Sequence, residues 1–578
     1  MSSTWQELRD ESLAGMTVLG RCWFHLVRWL VLLIVALITY LAFPATGSHE
    51  IPVYSVGAVA SRDVVSPADV VYWEKVTQQL ESPRRSAAHP AAPAVIVDSL
   101  RHVIRAGDRI VATGETVTRD QSLDLSALAN VLSSQSESLG LIRGVVGPIL
   151  FNAMLASVFW LLLLFYRWES YRSLREVVFF GLLFSVVMLM CGAIHRMLPG
   201  RPELMPVPFA AILITLLYNG RLGVFAAATL AILLGSQWAL RDEDVLLIAL
   251  AAGVAAAVGT RAARRRKELY LTIASAVLAY GLAALTLGLL HGWPLITMGW
   301  SLARGSVTAL GSASVAMLLL PLAESVIRVT TDITLLELSD PGRPLLRKLA
   351  MEAPGTYAHS LAMANLCEAA CNAIGANGLL ARVGCYYHDI GKSKNPGFFI
   401  ENQKPNANPH DQISARESAA IVRGHVLDGI AMAREAGLPE SLVSFIPEHH
   451  GTLYIEYFLD RARKESGGNG IDKEEFRYPG PRPQSVETAI VMLADATEAA
   501  LRLLGDPTPE RVRAAVEFLF QEKVDAGQLK EAPLTLSDLD RVKEEFVRVM
   551  TSMRHNRIDY PGRIGGIAAR FPQGTGHD

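Results

Sequence analysis

Two hydrophobic regimes divide the chain. Up to about residue 327 the apolar residues come in long unbroken blocks. Beyond residue 350 they recur every three or four positions, the mark of helices with one buried face. The first block, "LVRWLVLLIVALITYLAF" at 26–43, is about as long as a bilayer requires. Seven more follow near 144–166, 177–198, 204–218, 222–240, 244–260, 268–290 and 304–327, several of them short or Gly-rich. The first block reads as a retained anchor, with a cleaved signal segment as the alternative because "AFPA" loosely resembles a cleavage site. The polar stretch 44–143 holds the strand-like runs "DVVSPADVVYW" and "HVIRAGDRIVATGETV", with Gly-Asp and Gly-Glu turn signals. A Pro/Ala-rich linker, "QLESPRRSAAHPAAPA" at 79–94, separates them. A small, mostly β domain is expected here.

Charge orients the blocks. The loop at 167–176 carries Arg167, Arg172 and Arg175, and that at 261–267 carries Arg261, Arg264, Arg265, Arg266 and Lys267. The alternate loop at 241–244 is "RDED", and 291–297 has no Lys or Arg. Positive loops mark the cytoplasmic side. The N-terminus and everything after about 328 are then inside, and 44–143 is outside. Composition agrees: 51% of residues are hydrophobic and the mean hydropathy is +0.27. A net charge of −2 gives no global pull toward a nucleic-acid polymer. None of the five cysteines falls between 44 and 143, so the outer segment has no disulfide framework. Arg304 and Glu324, near the two ends of the last block, are expected to snorkel to the interface. With no charge pair expected inside the spans, a transporter is disfavoured.

The second regime carries the chemistry. "TYAHSLAMANLCEAACNAIG" starts after Pro354-Gly355 and stops at Gly375, and the helical period then repeats to about 560. No GxxxxGK[ST] occurs and no strand alternation suggests a Rossmann unit. Polar residues stand where apolar ones are expected. His359 shares a helical face with Met363, Leu366 and Ala370, and His388-Asp389 closes "LLARVGCYYHD". His425 lies in "AAIVRGHVLDGIAMA", His449-His450 closes "VSFIPEHH", and Asp495 lies in "AIVMLADATEAA". A buried carboxylate without a partner costs several kcal/mol or takes up a proton. Five imidazoles and two carboxylates suit Fe, Mn or Zn, and they are too many for one ion with an open position. Two ions roughly 4 Å apart can activate a water and clamp a phosphoryl group. The adjacent pairs reach a common site because Gly391 and Gly451 place them at helix ends. Each residue alone has a plain reading as a hydrogen-bonded core group; their joint occurrence favours metal. Lys392, after Gly391, is the candidate phosphate-contacting cation, with a solvated surface Lys as the alternative. Tyr386, Tyr387, Phe398 and Phe399 are candidates for stacking on a base or for core packing. His410-Asp411, in a loop after Asn408-Pro409, is either a substrate contact or surface.

The segments "PGTYAHS", "YYHDIGK", "NPHD", "EHHGT", "FRYPGPRPQ" and "MLADATEAA" closely resemble the seven-transmembrane HD phosphodiesterases of the PgpH type. "YSVGAVASRDVVSPADV" and "AGDRIVATGETVT" look like the two ends of that family's extracytoplasmic domain, so the resemblance covers nearly the whole chain. It implies an all-α cytoplasmic HD domain on a multi-pass helical bundle in the bacterial inner membrane. It implies hydrolysis of cyclic di-AMP to linear pApA with two divalent ions, iron or manganese. One ion would be held by His359, His388, Asp389 and Asp495, the other by His425, His449 and His450, with Asp389 bridging. From their positions in the chain rather than from the resemblance, Asp389 and Lys392 are the candidate catalytic residues, and Lys392, Tyr387 and His410 the candidate substrate contacts. A homodimer is a candidate assembly. The family often has His-His where this chain has Ala358-His359; the second His is the ligand, so the site survives. The outer segment is also much shorter than the family's.

The expected organisation is a mainly α membrane protein. It has a cytoplasmic N-terminus at 1–25, a first span at 26–43 and an outer domain at 44–143. A seven-helix region at 144–327, a connector at 328–350, the HD domain at 351–560 and a flexible tail at 561–578 follow. Rival readings are an HD phosphohydrolase of cyclic di-GMP or of an alarmone, and a receptor whose HD domain is inactive. The segment after His450, "GTLYIEYF", lacks a Gly-Tyr-Pro element, and a single-metal enzyme leaves His425, His449 and His450 unexplained.

Overall fold

The computed structural model describes residues 17–44, 54–60, 63–66, 69–79, 95–136, 142–240, 244–261, 268–403, 408–467, 470–503 and 508–555. The linker from 80 to 94, the tail 561–578 and most of the basic loop 261–267 lie outside the described residues. Most of the chain up to Leu318 forms one compact unit, and the chain from Leu319 another.

In the first unit, helix α1 (Val18–Ala42) begins eight residues before the expected span, capped by Thr17 Oγ1, which accepts from the Gly20 amide at 3.1 Å. Strands β1 (Val64–Val65) and β4 (Arg109–Val111) pair antiparallel, as do β2 (Val70–Gln79) and β3 (Val95–Ile104). Turn glycines Gly107 and Gly114 adopt φ of 94° and 83°, open to Gly without strain. The sequence reading missed helix α2 (Arg119–Ser136), whose Leu125 and Leu128 complete a small core with Val64, Val70, Ile104 and Val111. Among its described residues the segment 44–143 is therefore strands plus one helix.

All seven later apolar blocks are helices: α3 (Gly147–Tyr166), α4 (Leu174–Met197), α5 (Val207–Leu217), α6 (Gly220–Gly235), α7 (Val245–Thr260), α8 (Leu269–His291) and α9 (Leu295–Ile327). Among the described residues five helices, α1, α3, α4, α8 and α9, are long and apolar enough to cross a membrane, while α5, α6 and α7 are shorter. Small residues let these helices approach closely, as lipid-embedded packing requires. A Cβ on Gly253 would stand 2.8 Å from Ala227 Cβ, and one on Gly192 2.7 Å from the Ala42 carbonyl oxygen.

Two charges depart from expectation. Helix α9 starts nine residues earlier than the pattern suggested, which puts Arg304 inside it. Arg304 does not simply snorkel: its guanidinium lies 3.6 Å from the Glu203 carboxylate, and Glu203 is buried. A charge pair thus exists among the spans where none was expected.

In the second unit, Glu324 is used locally. Its carboxylate accepts from the Thr331 amide at 2.7 Å and from Thr334 Oγ1 at 2.9 Å, holding the first turn of α10 (Asp332–Leu338). The turn "SDPGRP" leads into α11 (Pro344–Glu352). Helix α12 (Pro354–Ile374) stops at Gly375, whose φ of 81° is the left-handed cap conformation. Helix α13 (Gly378–Tyr387) lies against it, followed by α14 (Ala415–Glu435), α15 (Glu456–Glu465), α16 (Val486–Leu503), α17 (Pro509–Asp525) and α18 (Leu536–His555). Met363, Cys367 and Ala370 of α12 meet Ala381 and Cys385 of α13, Leu493 and Ala494 of α16, and Phe520 and Phe546 of α17 and α18 in one core. Each large apolar side chain so buried contributes roughly 1.5–3 kcal/mol. The three cysteines of this core are buried apolar residues, as expected.

Candidate metal centre

Two helix ends and three helix faces deliver the seven polar residues. His359 lies in the second turn of α12, whose start is fixed by Asn402: the Gly355 and Thr356 amides donate to Asn402 Oδ1 at 2.8 and 3.2 Å. His388 caps α13, with its amide bonded to the Gly384 carbonyl at 2.9 Å, and Asp389 follows outside the helix. His425 comes from the middle of α14, which Ser414 and Glu417 start with a capping box. His449 caps the short helix Phe445–Glu448 and His450 follows it, next to Gly451 at φ 54°. Asp495 projects from α16.

Gly391 plays a different part from the one its position suggested. It does not end the helix by adopting an unusual φ; the chain runs on as a 3-10 turn over Ile390–Lys394. A Cβ at Gly391 would stand 1.9 Å from the His425 carbonyl oxygen and 2.6 Å from the Gly429 amide nitrogen. Its lack of a side chain lets the Asp389 turn press against α14 and bring His425 beside Asp389.

Three of the imidazoles share one orientation. Nδ1 of His388 bonds to the Cys385 carbonyl at 2.7 Å, that of His425 to the Val422 carbonyl at 2.5 Å, and that of His449 to the Phe445 carbonyl at 3.0 Å. A carbonyl can only accept, so each Nδ1 carries the proton and each Nε2 is left with its lone pair. Those three Nε2 atoms are buried and have no hydrogen-bond partner, and neither does Asp389 Oδ1. Buried polar atoms without partners are costly, and here they converge.

They converge in two sets. Asp389, His425, His449 and His450 each offer an atom within 4.8 Å of the others, as do His359, His388 and Asp495. Asp389 sits between the sets. Its Oδ2 is 3.1 Å from His388 Nε2, while its Oδ1 is 3.4 Å from His425 Nε2 and 3.6 Å from His449 Nε2. His450 Nδ1 is 3.9 Å from Asp495 Oδ2, and its ring stacks on Tyr478 with centroids 4.1 Å apart. Tyr478, from "FRYPGPRPQ", is a wall of the site that residue spacing alone did not single out.

The electrostatics suit cation binding. Burial pushes the His449 imidazole down to about 3, and also depresses His425 and His450, so all three stay neutral. Burial opposes charge on Asp389 too, but the adjacent His388 and the Lys392 ammonium outweigh it and hold the carboxyl well below the usual range. Asp495 is held down likewise, against burial, by its hydrogen bond to His359. Burial would depress His359, yet the hydrogen bonds it donates to Asp495 and Glu498 push it up to about 10. The neutral lone pairs of His425, His449 and His450 beside the ionised Asp389 are the donor set that a divalent ion requires.

The other candidates divide. Lys392 is partly buried rather than a solvated surface residue, with Nζ 2.7 Å from Asp389 Oδ2 and 3.1 Å from Glu401 Oε1. Tyr387 is closed to any ligand: it is buried, and its hydroxyl donates to the Leu338 carbonyl at 2.7 Å. His410 is also buried, with Nε2 on the Phe398 carbonyl at 2.8 Å and its ring between Phe398 and Phe458. Both expected substrate contacts therefore hold structure instead. The stretch "NPGFFIENQ" becomes a wall. Phe399 packs edge-on to His425 and lies under Lys392, and Glu401 holds Lys392 and accepts from Thr356 Oγ1 at 2.9 Å.

Comparison with known proteins places these features. Residues 142–331 match the family described as 7TM receptor with intracellular HD hydrolase, and residues 356–500 match the HD domain. A Bacillus subtilis protein named cyclic-di-AMP phosphodiesterase PgpH is 38% identical over 62% of this chain and 51% of its own length. A Listeria monocytogenes protein of the same name is 28% identical over 87% of this chain and 69% of its own. A Listeria PgpH HD domain, solved in complex with cyclic di-AMP, is 36% identical over 37% of this chain and all of its own length, with a TM-score of 0.36. The chain spans about half the length of the Bacillus relative. With its apolar helices matching the seven-transmembrane model and the region after them matching the HD model, the chain is a membrane protein that carries an HD domain.

Proposed function

We propose that the protein is a membrane-bound phosphodiesterase that hydrolyses cyclic di-AMP to linear pApA. One observation carries the reading: the two oxygens of a buried carboxylate, Asp389, face separate imidazole sets, Oδ2 toward His388 and Oδ1 toward His425 and His449. HD membership and this cluster make the domain a divalent-metal domain. Two ions, iron or manganese, fit the donors, with His359, His388 and Asp495 on one side, His425, His449 and His450 on the other, and Asp389 between. Bound there, two ions would supply an acidified water and neutralise charge building on a phosphoryl group.

The chain's own residues do the rest. Asp389 and Asp495 stay ionised across the neutral range and so hold positive charge at the centre. Burial works against the Lys392 ammonium, but Asp389 and Glu401 raise its pKa, so Nζ keeps its proton and offers charge to a phosphate oxygen. Phe399 packs edge-on to His425 and Tyr478 stacks on His450, which holds those two rings in place. Two curated relatives named as cyclic-di-AMP phosphodiesterases support that nucleotide over cyclic di-GMP. The second imidazole set disfavours a single-metal alarmone hydrolase, which has no use for His425, His449 and His450. The domain divisions are as the sequence suggests, with the HD domain on the cytoplasmic face of the bacterial inner membrane and a homodimer as the candidate assembly. Protease accessibility in oriented vesicles tests the placement: cleavage within 351–560 only after the cytoplasmic face is opened is expected, and cleavage from the outside refutes it.

A further inference from the structure

Among the candidate ligands, His359 differs in how its rear nitrogen is held. His388, His425 and His449 each place Nδ1 on a backbone carbonyl. His359 is gripped at both nitrogens by carboxylates one turn apart on α16. Asp495 Oδ1 lies 3.1 Å from Nε2, and Glu498 Oε2 lies 2.7 Å from Nδ1. One turn further along, Arg502 donates to both oxygens of Glu498, with Nε 3.3 Å from Oε1 and NH2 2.5 Å from Oε2. Arg502 NH2 is also 3.0 Å from His359 Nδ1, but two donors cannot bond each other. With a proton on Nδ1, only Glu498 accepts it, and Arg502 acts on Glu498 alone. Residues 495, 498 and 502 thus form one helix face that runs from the ion position outward.

A carboxylate behind a ligating imidazole fixes its tautomer and ring angle and makes the forward nitrogen a stronger donor. We propose that Glu498, braced by Arg502, is a positioning residue that sets the affinity of the ion held by His359, His388 and Asp495. The ion at His425, His449 and His450 has only backbone carbonyls behind two of its imidazoles and does not depend on Glu498. The inference rests on the two-ion reading above, and it adds an asymmetry: one side of the centre is tuned by a charged side chain and the other is not.

The test uses the full chain in detergent, stripped with a chelator and titrated with Mn²⁺ against a fluorescent chelator, with free Mn²⁺ followed by electron paramagnetic resonance. Wild type should take up two ions. Glu498→Ala should weaken one of them by about 10- to 100-fold and leave the other within about threefold. Glu498→Gln, whose carbonyl still accepts from Nδ1 without charge, should fall between. Two ions bound by Glu498→Ala with wild-type affinities overturn the inference and leave the two-ion reading intact. No uptake by wild type overturns that reading and the inference with it. If the circular dichroism of stripped Glu498→Ala shows a failed fold, Arg502→Met serves: it should weaken the same ion severalfold, and unchanged affinity overturns the proposal.

Discussion

Asp389 is where the physics of single residues concentrates. A carboxylate this buried persists because cationic partners, the Lys392 ammonium among them, repay its desolvation. Asp389→Ala removes the group shared by both imidazole sets and should lower turnover of cyclic di-AMP by about a thousandfold or more while far-ultraviolet circular dichroism is unchanged. Retained turnover in that variant contradicts the assignment. The histidines make a second prediction. His425, His449 and His450 resist protonation in the folded chain, whereas the unfolded chain takes up protons below about pH 6.5. Their contribution to stability is therefore full above about 6.5 and is lost as pH falls toward about 3, the folded value for His449. His359, raised to about 10, contributes in the opposite window: its share is full below about 6.5 and fades as pH rises toward 10. Chelator-stripped protein should melt at a lower temperature at about pH 5 than at about pH 7, and a flat or rising profile contradicts this.

At the scale of elements, the centre depends on two close approaches. Gly391 lets its turn touch α14, and the obstacle to a side chain there is backbone, which cannot rotate away. Gly391→Ala should cost about 3 kcal/mol or more and misplace His425, seen as a lowered melting temperature together with lost metal uptake. The loop from Pro396 to Gln403 is latched to the start of α12 by Asn402. Asn402→Ala leaves two amides of that helix unpaired and should cost about 1–2 kcal/mol by denaturant unfolding, with a raised KM as Glu401 and Lys392 loosen. The element scale also shows what was legible. Helix α12 could be read from Pro354 to its Gly375 stop because local chemistry decides both ends. Helix α2 was equally legible, since Thr118 and Gln121 form a reciprocal cap and Leu125 and Leu128 share a face, yet its polar composition concealed it. The ligand set was readable because polar residues interrupted apolar faces. Tyr387 and His410 misled for the same reason. Whether such a residue meets substrate or a backbone carbonyl depends on which distant segment packs on it, Leu338 for one and Phe398 for the other. Glu498 gave no signal, because a carboxylate on a helix is ordinarily solvated.

For the molecule as a whole, the long apolar blocks made the membrane region plain, and the three short helices α5, α6 and α7 account for its irregular spacing. The Arg304–Glu203 pair was not legible, because it joins residues 101 positions apart and depends on α9 starting early. Arg304→Met leaves the Glu203 carboxylate buried without its partner and should destabilise the detergent-solubilised protein by about 3 kcal/mol. The double variant with Glu203→Gln should recover most of that, and no recovery speaks against the pair. The central claim, that this membrane protein cleaves cyclic di-AMP at a two-ion centre around Asp389, meets its most direct test in product analysis. The purified full chain, stripped of metal and resupplied with Mn²⁺ or Fe²⁺, is incubated with cyclic di-AMP. The account predicts linear pApA with either ion, none after stripping and none from Asp389→Ala. Intact cyclic di-AMP after incubation with the metal-loaded wild type, or pApA formed equally by the stripped protein, would contradict it.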